Sequence, residues 1–263
     1  MVHSGNRELR MRASAIEFRL RSLIILVIIL LGFWAPWIKG LGWGGPMPLL
    51  ERLPLLLSRL GLASFDAAVP AVIVFAALVA GIGMVLRVWG TACLGATTVQ
   101  SRDMKANAVM TGGPFRYVRN PLYLGTWCMV AALSFLMTST GALVAMVLLT
   151  VFQLRLILGE EAFLASRLGE PYLAYVRAVP RLIPRLRSNL PPSGSKPRWL
   201  VAVLAEVNPI GIFVSLAVLS WSYDHMIMIK GILVGFGLSL VARAFISGST
   251  AGQPAPGAGA GEV

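Results

Sequence analysis

Residues 120–154 read NPLYLGTWCMVAALSFLMTSTGALVAMVLLTVFQL, thirty-five residues without a charged side chain. As one α-helix this stretch would extend about 52 Å, against a bilayer hydrocarbon core of roughly 30 Å. A break is therefore needed, and Thr138-Ser139-Thr140-Gly141 near the middle has the composition of a turn. The stretch predicts a tight helical hairpin of two membrane spans.

The rest of the chain also favours a membrane protein. It is 57% hydrophobic and 13% charged, whereas soluble domains carry about 25% charged residues. Four further apolar runs lie at residues 23–37, 67–86, 199–221 and 225–246. Together with the hairpin they predict an all-α, polytopic membrane helix bundle of about six spans. Glu206 and Asn208-Pro209 interrupt the third run, which predicts either a kinked span or an interfacial helix leading into a short one.

Two segments need separate interpretation. The first apolar run ends in the bulky residues 33–37, where a signal-peptide cleavage site would have small ones, so we expect an uncleaved first span with an aromatic anchor. Residues 49–62 are apolar but too short and too charged to cross a bilayer, so we expect an interfacial or re-entrant piece.

Gly81 and Gly83, near the end of the 67–86 run, favour close helix packing over space for a ligand.

These features divide the chain into four parts. We expect a cytoplasmic basic arm, a membrane core, a C-terminal pair of membrane helices and a disordered tail, at residues 1–21, 22–198, 199–246 and 247–263. The tail is expected to be disordered because Gly, Ala, Pro and Thr dominate it.

The net charge of +12 is distributed unevenly. The arm carries five Lys or Arg, residues 87–120 carry five, and residues 155–198 carry eight. With both termini inside, 19 of the 23 Lys and Arg residues face the cytoplasm, which fixes the orientation by the positive-inside rule. The basic residues lie between apolar runs and form no patch with aromatics, so we expect no nucleic-acid partner.

The residues that commonly bind metals form no recognisable site. Cys93 and Cys128 lack metal-ligand spacing and give no disulfide framework. His3 and His225 are far apart in the sequence. We therefore expect no metal.

Two polar segments flank the predicted hairpin. The first, residues 112–125, reads GGPFRYVRNPLYLG; the second runs from Glu160-Glu161 to the VPRLIP sequence at residues 179–184. Both fall on the predicted cytoplasmic side of one hairpin, so we expect them to be neighbours in space.

The residue types in these segments suit one kind of ligand. The first segment offers a tight backbone approach, a helix start that attracts anions, two cations and three aromatic rings. These are Gly112-Gly113-Pro114, Pro121, Arg116 and Arg119, and Phe115, Tyr117 and Tyr123. Glu160 and Glu161 add carboxylates at the membrane boundary, where a charge without a partner is energetically unfavourable. A ligand with a carboxylate, an aromatic base and a cationic group matches this set, and S-adenosylmethionine has all three.

Each of these residues, considered alone, also has a purely structural explanation. The arginines would serve as headgroup anchors, the tyrosines as membrane-interface aromatics, and the glutamates as carboxylates favoured at a helix start. The ordered combination on one side of one hairpin favours a binding site.

At these residues the chain resembles the membrane methyltransferases of the isoprenylcysteine carboxyl methyltransferase and phospholipid methyltransferase superfamily. The likeness covers about residues 80–185 and includes residues 86–90, LRVWG, with both polar segments. It implies an S-adenosylmethionine-dependent methyltransferase core within residues 22–198, with a membrane lipid or another lipophilic acceptor.

The resemblance also implies a set of site residues. The cofactor contacts of the eukaryotic carboxyl methyltransferases fall on Gln100, Asn107, Ala108, Val109, Met110, Phe115, Asn120, Pro121, Leu122, Tyr123 and Glu160. Asn120 replaces a histidine, so it can donate a hydrogen bond but carries no charge. The family's substrate-contacting arginine falls on Leu156, beside Arg155. Arg155 and Arg87 are the substrate candidates, and we assign no catalytic side chain.

The chemical class of the acceptor stays open among a carboxylate, a lipid amine and a thiol. One rival function is an NADPH-dependent membrane sterol-type reductase, because those enzymes share an Arg-(His/Asn)-Pro-x-Tyr-x-Gly helix start. Another is a small transporter or membrane scaffold. That interpretation predicts buried charges at mid-membrane depth, for which Glu206 and Lys230 are the candidates.

Overall fold

The computed structural model describes residues 12–35, 47–95, 98, 111–188, 190 and 196–251. Over these ranges the chain forms ten α-helices and a short 3-10 helix, Gly113–Arg116, and no strand. The α-helices are α1 Ala15–Arg19, α2 Arg21–Trp34, α3 Leu49–Arg59, α4 Phe65–Leu94, α5 Pro121–Ser134, α6 Ser139–Leu168, α7 Glu170–Ala178, α8 Trp199–Ala205, α9 Val207–Ser222 and α10 His225–Ala251. The predicted all-α class is confirmed.

The predicted hairpin is present as α5 and α6. Its turn occupies residues 135–138, three residues earlier than the predicted turn, because Ser139 already begins α6. Thr138 is the cap of that helix, and its Oγ1 accepts a hydrogen bond from the Gly141 N–H at 3.2 Å. The cap satisfies one of the N–H groups that the first turn leaves unpaired.

The helices differ in their capacity to cross a bilayer. Three are long and apolar enough: α4, α6 and the part of α10 at His225–Ala242. The pair α8 and α9, bent by 72° where they meet, counts as a fourth if taken together. The apolar helices α2 and α5 have 14 residues each, about 21 Å of helix. The total of six spans stays a prediction.

Helix α5 lies between two apolar clusters. On one side it packs with α3, α4, α9 and α10 through residues such as Leu133, Ala80 and Leu216. On the other side it packs with α1, α2 and α6 through residues such as Val130 and Leu149. The hairpin is therefore the centre of the bundle.

Glycines bring α4 very close to α5. A Cβ added at Gly83 would lie 2.8 Å from the Gly125 carbonyl oxygen, and one added at Gly125 would lie 2.6 Å from Arg87 Cγ. A Cβ at Gly81 would lie 3.0 Å from the ring of Phe213. The close-packing interpretation of Gly81 and Gly83 is confirmed.

Helix α3 docks on the hairpin turn. The Leu49 and Leu50 N–H groups donate to the carbonyl oxygens of Met137 and Phe135 at 2.9 and 2.8 Å. The segment expected to be interfacial or re-entrant is thus an 11-residue helix at the turn end of the hairpin, opposite the polar segments.

The C-terminal helices dock on α4 through a buried ion pair. The α8–α9 bend falls at Glu206, as the sequence suggested, and only 1% of the Glu206 side chain is exposed. Arg87 binds its carboxylate with both Nε and Nη2, at 2.7 and 3.0 Å, and the Thr91 hydroxyl donates to it at 2.6 Å. The last helix continues to Ala251, five residues past the boundary drawn at 246; the rest of the tail lies outside the described residues.

Candidate functional site

The two polar segments lie side by side at the end of the hairpin away from α3. The Arg119 N–H donates to the Pro180 carbonyl at 2.8 Å, and the Arg185 N–H donates to the Tyr117 carbonyl at 3.0 Å. The predicted proximity of the segments is confirmed.

The first segment is fixed by α4 on one side and α7 on the other. Gly113 has φ +54°, and a Cβ there would collide with Cys93 Sγ and Trp89 Nε1, so the approach to α4 needs glycine. The Tyr175 hydroxyl donates to the Phe115 carbonyl at 2.8 Å. Burial raises the pKa of Tyr175, which keeps this hydroxyl protonated as a donor. Phe115 itself is 8% exposed.

The second segment begins on α6 itself. This helix runs without interruption through residues 155–168 and ends at Leu168. The cap residue Gly169 follows, with a φ of +60° that suits a residue without a Cβ. Because α6 extends past the start of α5, it presents Glu160 beside Tyr123. The Tyr123 hydroxyl donates to Glu160 Oε2 at 2.9 Å, and both residues are partly buried.

Glu161 is the centre of a polar network. Arg181 binds it with Nη2 at 2.8 Å and Nε at 3.1 Å, and Asn120 Nδ2 lies 3.4 Å from its Oε1. The same Asn120 amide donates to the Arg181 carbonyl at 3.1 Å. Asn120 therefore ties the helix start of α5 to α6 and to the 179–184 segment.

Arg119 has unused donors in this network. Its side chain is 8% exposed and its Nη1 lies 3.5 Å from Glu161 Oε1. Its Nε and Nη1 are buried and make no hydrogen bond within the described part of the chain. A buried guanidinium with free donors suits an anionic ligand, because an unpaired buried donor is unfavourable.

The substrate candidates are both engaged with carboxylates of the chain itself. Arg87 holds Glu206 as described above. Arg155 Nη2 lies 3.0 Å from both carboxylate oxygens of Glu17, which the Ser14 capping box presents on α1. Sequence reasoning missed the Glu17 contact, for which the sequence has no local pattern. The substrate assignment of both arginines stays a prediction.

The remaining predicted cofactor residues fall into two groups. Pro121 and Leu122 form the first turn of α5 beside Tyr123, and a Cβ at Gly90 would lie 2.9 Å from Leu122 Cδ2. The other five, Gln100, Asn107, Ala108, Val109 and Met110, lie outside the described residues.

The site therefore offers a carboxylate held by a phenol, a buried cation with free donors, and aromatic surface, all at one end of the hairpin. The described residues contain no group of three His, Cys, Asp or Glu side chains that could hold a metal ion.

Comparison with known proteins supports the resemblance. The sequence model of the phospholipid methyltransferase family matches residues 71–170, which include most of α4, the whole of α5 and α6, and the Tyr123–Glu160 contact. No curated protein and no solved structure matches the chain significantly. Over residues 71–170 the chain carries the sequence pattern of the phospholipid methyltransferase family, and this match confirms its resemblance to the superfamily of membrane methyltransferases.

Proposed function

We propose that the protein is an integral membrane methyltransferase that transfers a methyl group from S-adenosylmethionine to a lipophilic acceptor. The observation that carries the proposal is the pairing of Tyr123 with the partly buried Glu160, inside the segment that matches the family. The buried Arg119 lies against the next residue, Glu161. The family favours a lipid as the acceptor.

The charges of these residues fit the donor. The amino-acid end of S-adenosylmethionine carries an ammonium and a carboxylate. Glu160 would accept hydrogen bonds from the ammonium, or from the ribose hydroxyls, while the unused Nε and Nη1 of Arg119 would bind the carboxylate. Phe115, Pro121 and Leu122, with the residues implied at 100 and 107–110, would complete the pocket.

The protein's part in the reaction is to bind and orient. When bound, S-adenosylmethionine would supply an activated methyl group for in-line displacement by an acceptor lone pair, with S-adenosylhomocysteine as the leaving group. No protein nucleophile is needed, so the rate depends on holding the reacting atoms close and aligned. The Tyr123 hydrogen bond fixes the Glu160 carboxylate, and the Glu161 network with Arg181 and Asn120 fixes the helix ends around it.

The charge distribution gives the direction of access. The positive-inside rule favours a cytoplasmic position for this end of the hairpin, where a charged soluble donor would enter from water. A lipophilic acceptor would reach the other side of the site laterally from the bilayer.

The test is donor binding by calorimetry on the whole protein in nanodiscs. Glu160→Gln keeps the shape of the side chain and removes its charge, so affinity for S-adenosylmethionine should fall about 10-fold or more, the usual value of a hydrogen bond to a charged group. Glu170→Gln is the matched control, because Glu170 is an exposed carboxylate on α7 paired with Arg177. Unchanged affinity in Glu160→Gln, or binding of NADPH in place of S-adenosylmethionine, would contradict the proposal.

A further inference from the structure

Gln153 is a buried polar side chain whose amide nitrogen has no hydrogen-bond partner in the described part of the chain. It lies on α6 inside the uncharged run 120–154 and is only 4% exposed. Its amide Nε2 is fully buried and makes no hydrogen bond to any residue that the structure describes. Buried amides are nearly always hydrogen-bonded, because burying an unpaired donor in an apolar interior is unfavourable.

The position of Gln153 relates it to the proposed donor site. It precedes Glu160 by seven residues, which is two helical turns, so both side chains lie on the same face of α6. Two contacts identify that face as the side towards α5: the Tyr123–Glu160 hydrogen bond and a bond from Trp127 Nε1 to Thr150 Oγ1 at 3.1 Å. Gln153 lies along α6 between these two contacts.

The depth of Gln153 separates it from the polar end of the donor. Seven residues correspond to about 10 Å along the helix axis, towards the hairpin turn and into the bilayer. In the proposed function, the donor binds at the Glu160 end and the acceptor arrives from the bilayer side. An unpaired donor group on the bilayer side is therefore placed for the acceptor.

We propose that the Gln153 amide binds an acceptor oxygen, of a carboxylate or a phosphodiester, and so positions the acceptor for methyl transfer. This inference rests on the proposed function. The chemistry follows from the free group, because an N–H donor selects an oxygen with lone pairs and an apolar surrounding strengthens the bond. Gln153 is a positioning residue and takes no part in bond breaking.

The experiment compares wild type, Gln153→Met and Thr150→Val in dodecyl maltoside micelles saturated with S-adenosylmethionine, because this detergent contains neither a phosphodiester nor a carboxylate. Met fills a similar volume without a donor, and Thr150→Val removes a neighbouring hydroxyl that Trp127 already occupies. Two probes distinguish the acceptor sources: phosphatidylethanolamine and palmitate, each added separately to the micelles. Melting temperature with and without each probe reports binding independently of turnover, and labelled methyl transfer gives KM and kcat.

We expect one probe to stabilise wild type and Thr150→Val, and to stabilise Gln153→Met much less. KM for that probe should rise about 10-fold in Gln153→Met, the loss expected for one buried hydrogen bond. The melting temperature of Gln153→Met without probe should equal or exceed that of wild type, since an unpaired polar group has been removed.

Three results would overturn the inference: no stabilisation of wild type by either probe, an unchanged KM in Gln153→Met, or a lower melting temperature of that variant without probe. Donor affinity separates this failure from failure of the proposed function. If wild type and Gln153→Met bind S-adenosylmethionine equally well, only the role of Gln153 is refuted; if wild type does not bind it, the proposed function is refuted as well.

Discussion

The ion pair between Arg87 and Glu206 makes the C-terminal helices part of the bundle, and its two partners should differ in their effect on stability. Glu206 is 1% exposed and Arg87 is 21% exposed. In Arg87→Met the buried carboxylate keeps, among the residues that the structure describes, only the Thr91 hydroxyl as a partner. Breaking a buried pair in this way costs about 3–5 kcal/mol.

The reverse change should cost less. In Glu206→Gln the amide keeps one acceptor oxygen for Arg87 or Thr91, and Arg87 also donates to Thr126 Oγ1 at 2.7 Å. Because Arg87 keeps this partner and 21% of its side chain is exposed, we expect a loss of about 1–3 kcal/mol, the range for an unsatisfied buried polar group.

The assay is reversible unfolding from mixed micelles by titration with dodecyl sulfate, followed by circular dichroism. The double variant Arg87→Met/Glu206→Gln completes a double-mutant cycle, and we expect a coupling energy of about 1–3 kcal/mol. Additive effects, or equal losses from both single variants, would refute this account of the pair. If Arg87 serves the acceptor instead, Arg87→Met would leave unfolding unchanged and raise the acceptor KM.

Two further predictions concern packing and pH. Gly83→Leu should destabilise the fold by about 1–3 kcal/mol through overpacking, because its Cβ would lie 2.8 Å from the Gly125 carbonyl oxygen. Gly237→Leu is the control and should be neutral in the same assay, because a Cβ there would meet nothing within 4 Å. Equal effects of the two variants would contradict the close packing. The hydrogen bond from Arg155 lowers the pKa of Glu17. This ion pair should stabilise the fold by about 0.2–1 kcal/mol, the range for a pair this exposed. The stabilisation is complete above the ordinary pKa of 4.5 and is lost as pH falls through the lowered pKa. Melting temperatures of wild type and Glu17→Gln should therefore differ at pH 7 and converge in acid, and a difference that grows in acid would contradict this sign.

The sequence was sufficient for the features that depend on local pattern. A long uncharged run with one turn-like segment predicted the α5–α6 hairpin, because helix length and bilayer thickness leave few alternatives. The two polar motifs enter and leave the same hairpin, so their meeting at Arg119 and Pro180 followed from topology. Gly81 and Gly83 predicted close helix packing, because small residues let two helix backbones approach each other.

Contacts between distant parts of the chain were beyond local pattern. Arg87 and Glu206 are 119 residues apart, and Glu17 and Arg155 are 138 apart. Either arginine looked equally available to a substrate, and only the packing of α1 and of the α8–α9 bend shows which carboxylate each one holds. Gln153 is one polar residue in an uncharged run, and the lack of a partner for its amide nitrogen among the described residues is visible only in the structure.

Transfer of a labelled methyl group tests the central claim most directly. Wild-type protein in lipid nanodiscs would be incubated with S-adenosylmethionine labelled in its methyl group, and the lipid products separated and counted. We predict label in a lipid product for wild type and Glu170→Gln, and a strong loss for Glu160→Gln. Wild type that transfers no label to lipid, or Glu160→Gln that transfers as much label as wild type, would contradict the account.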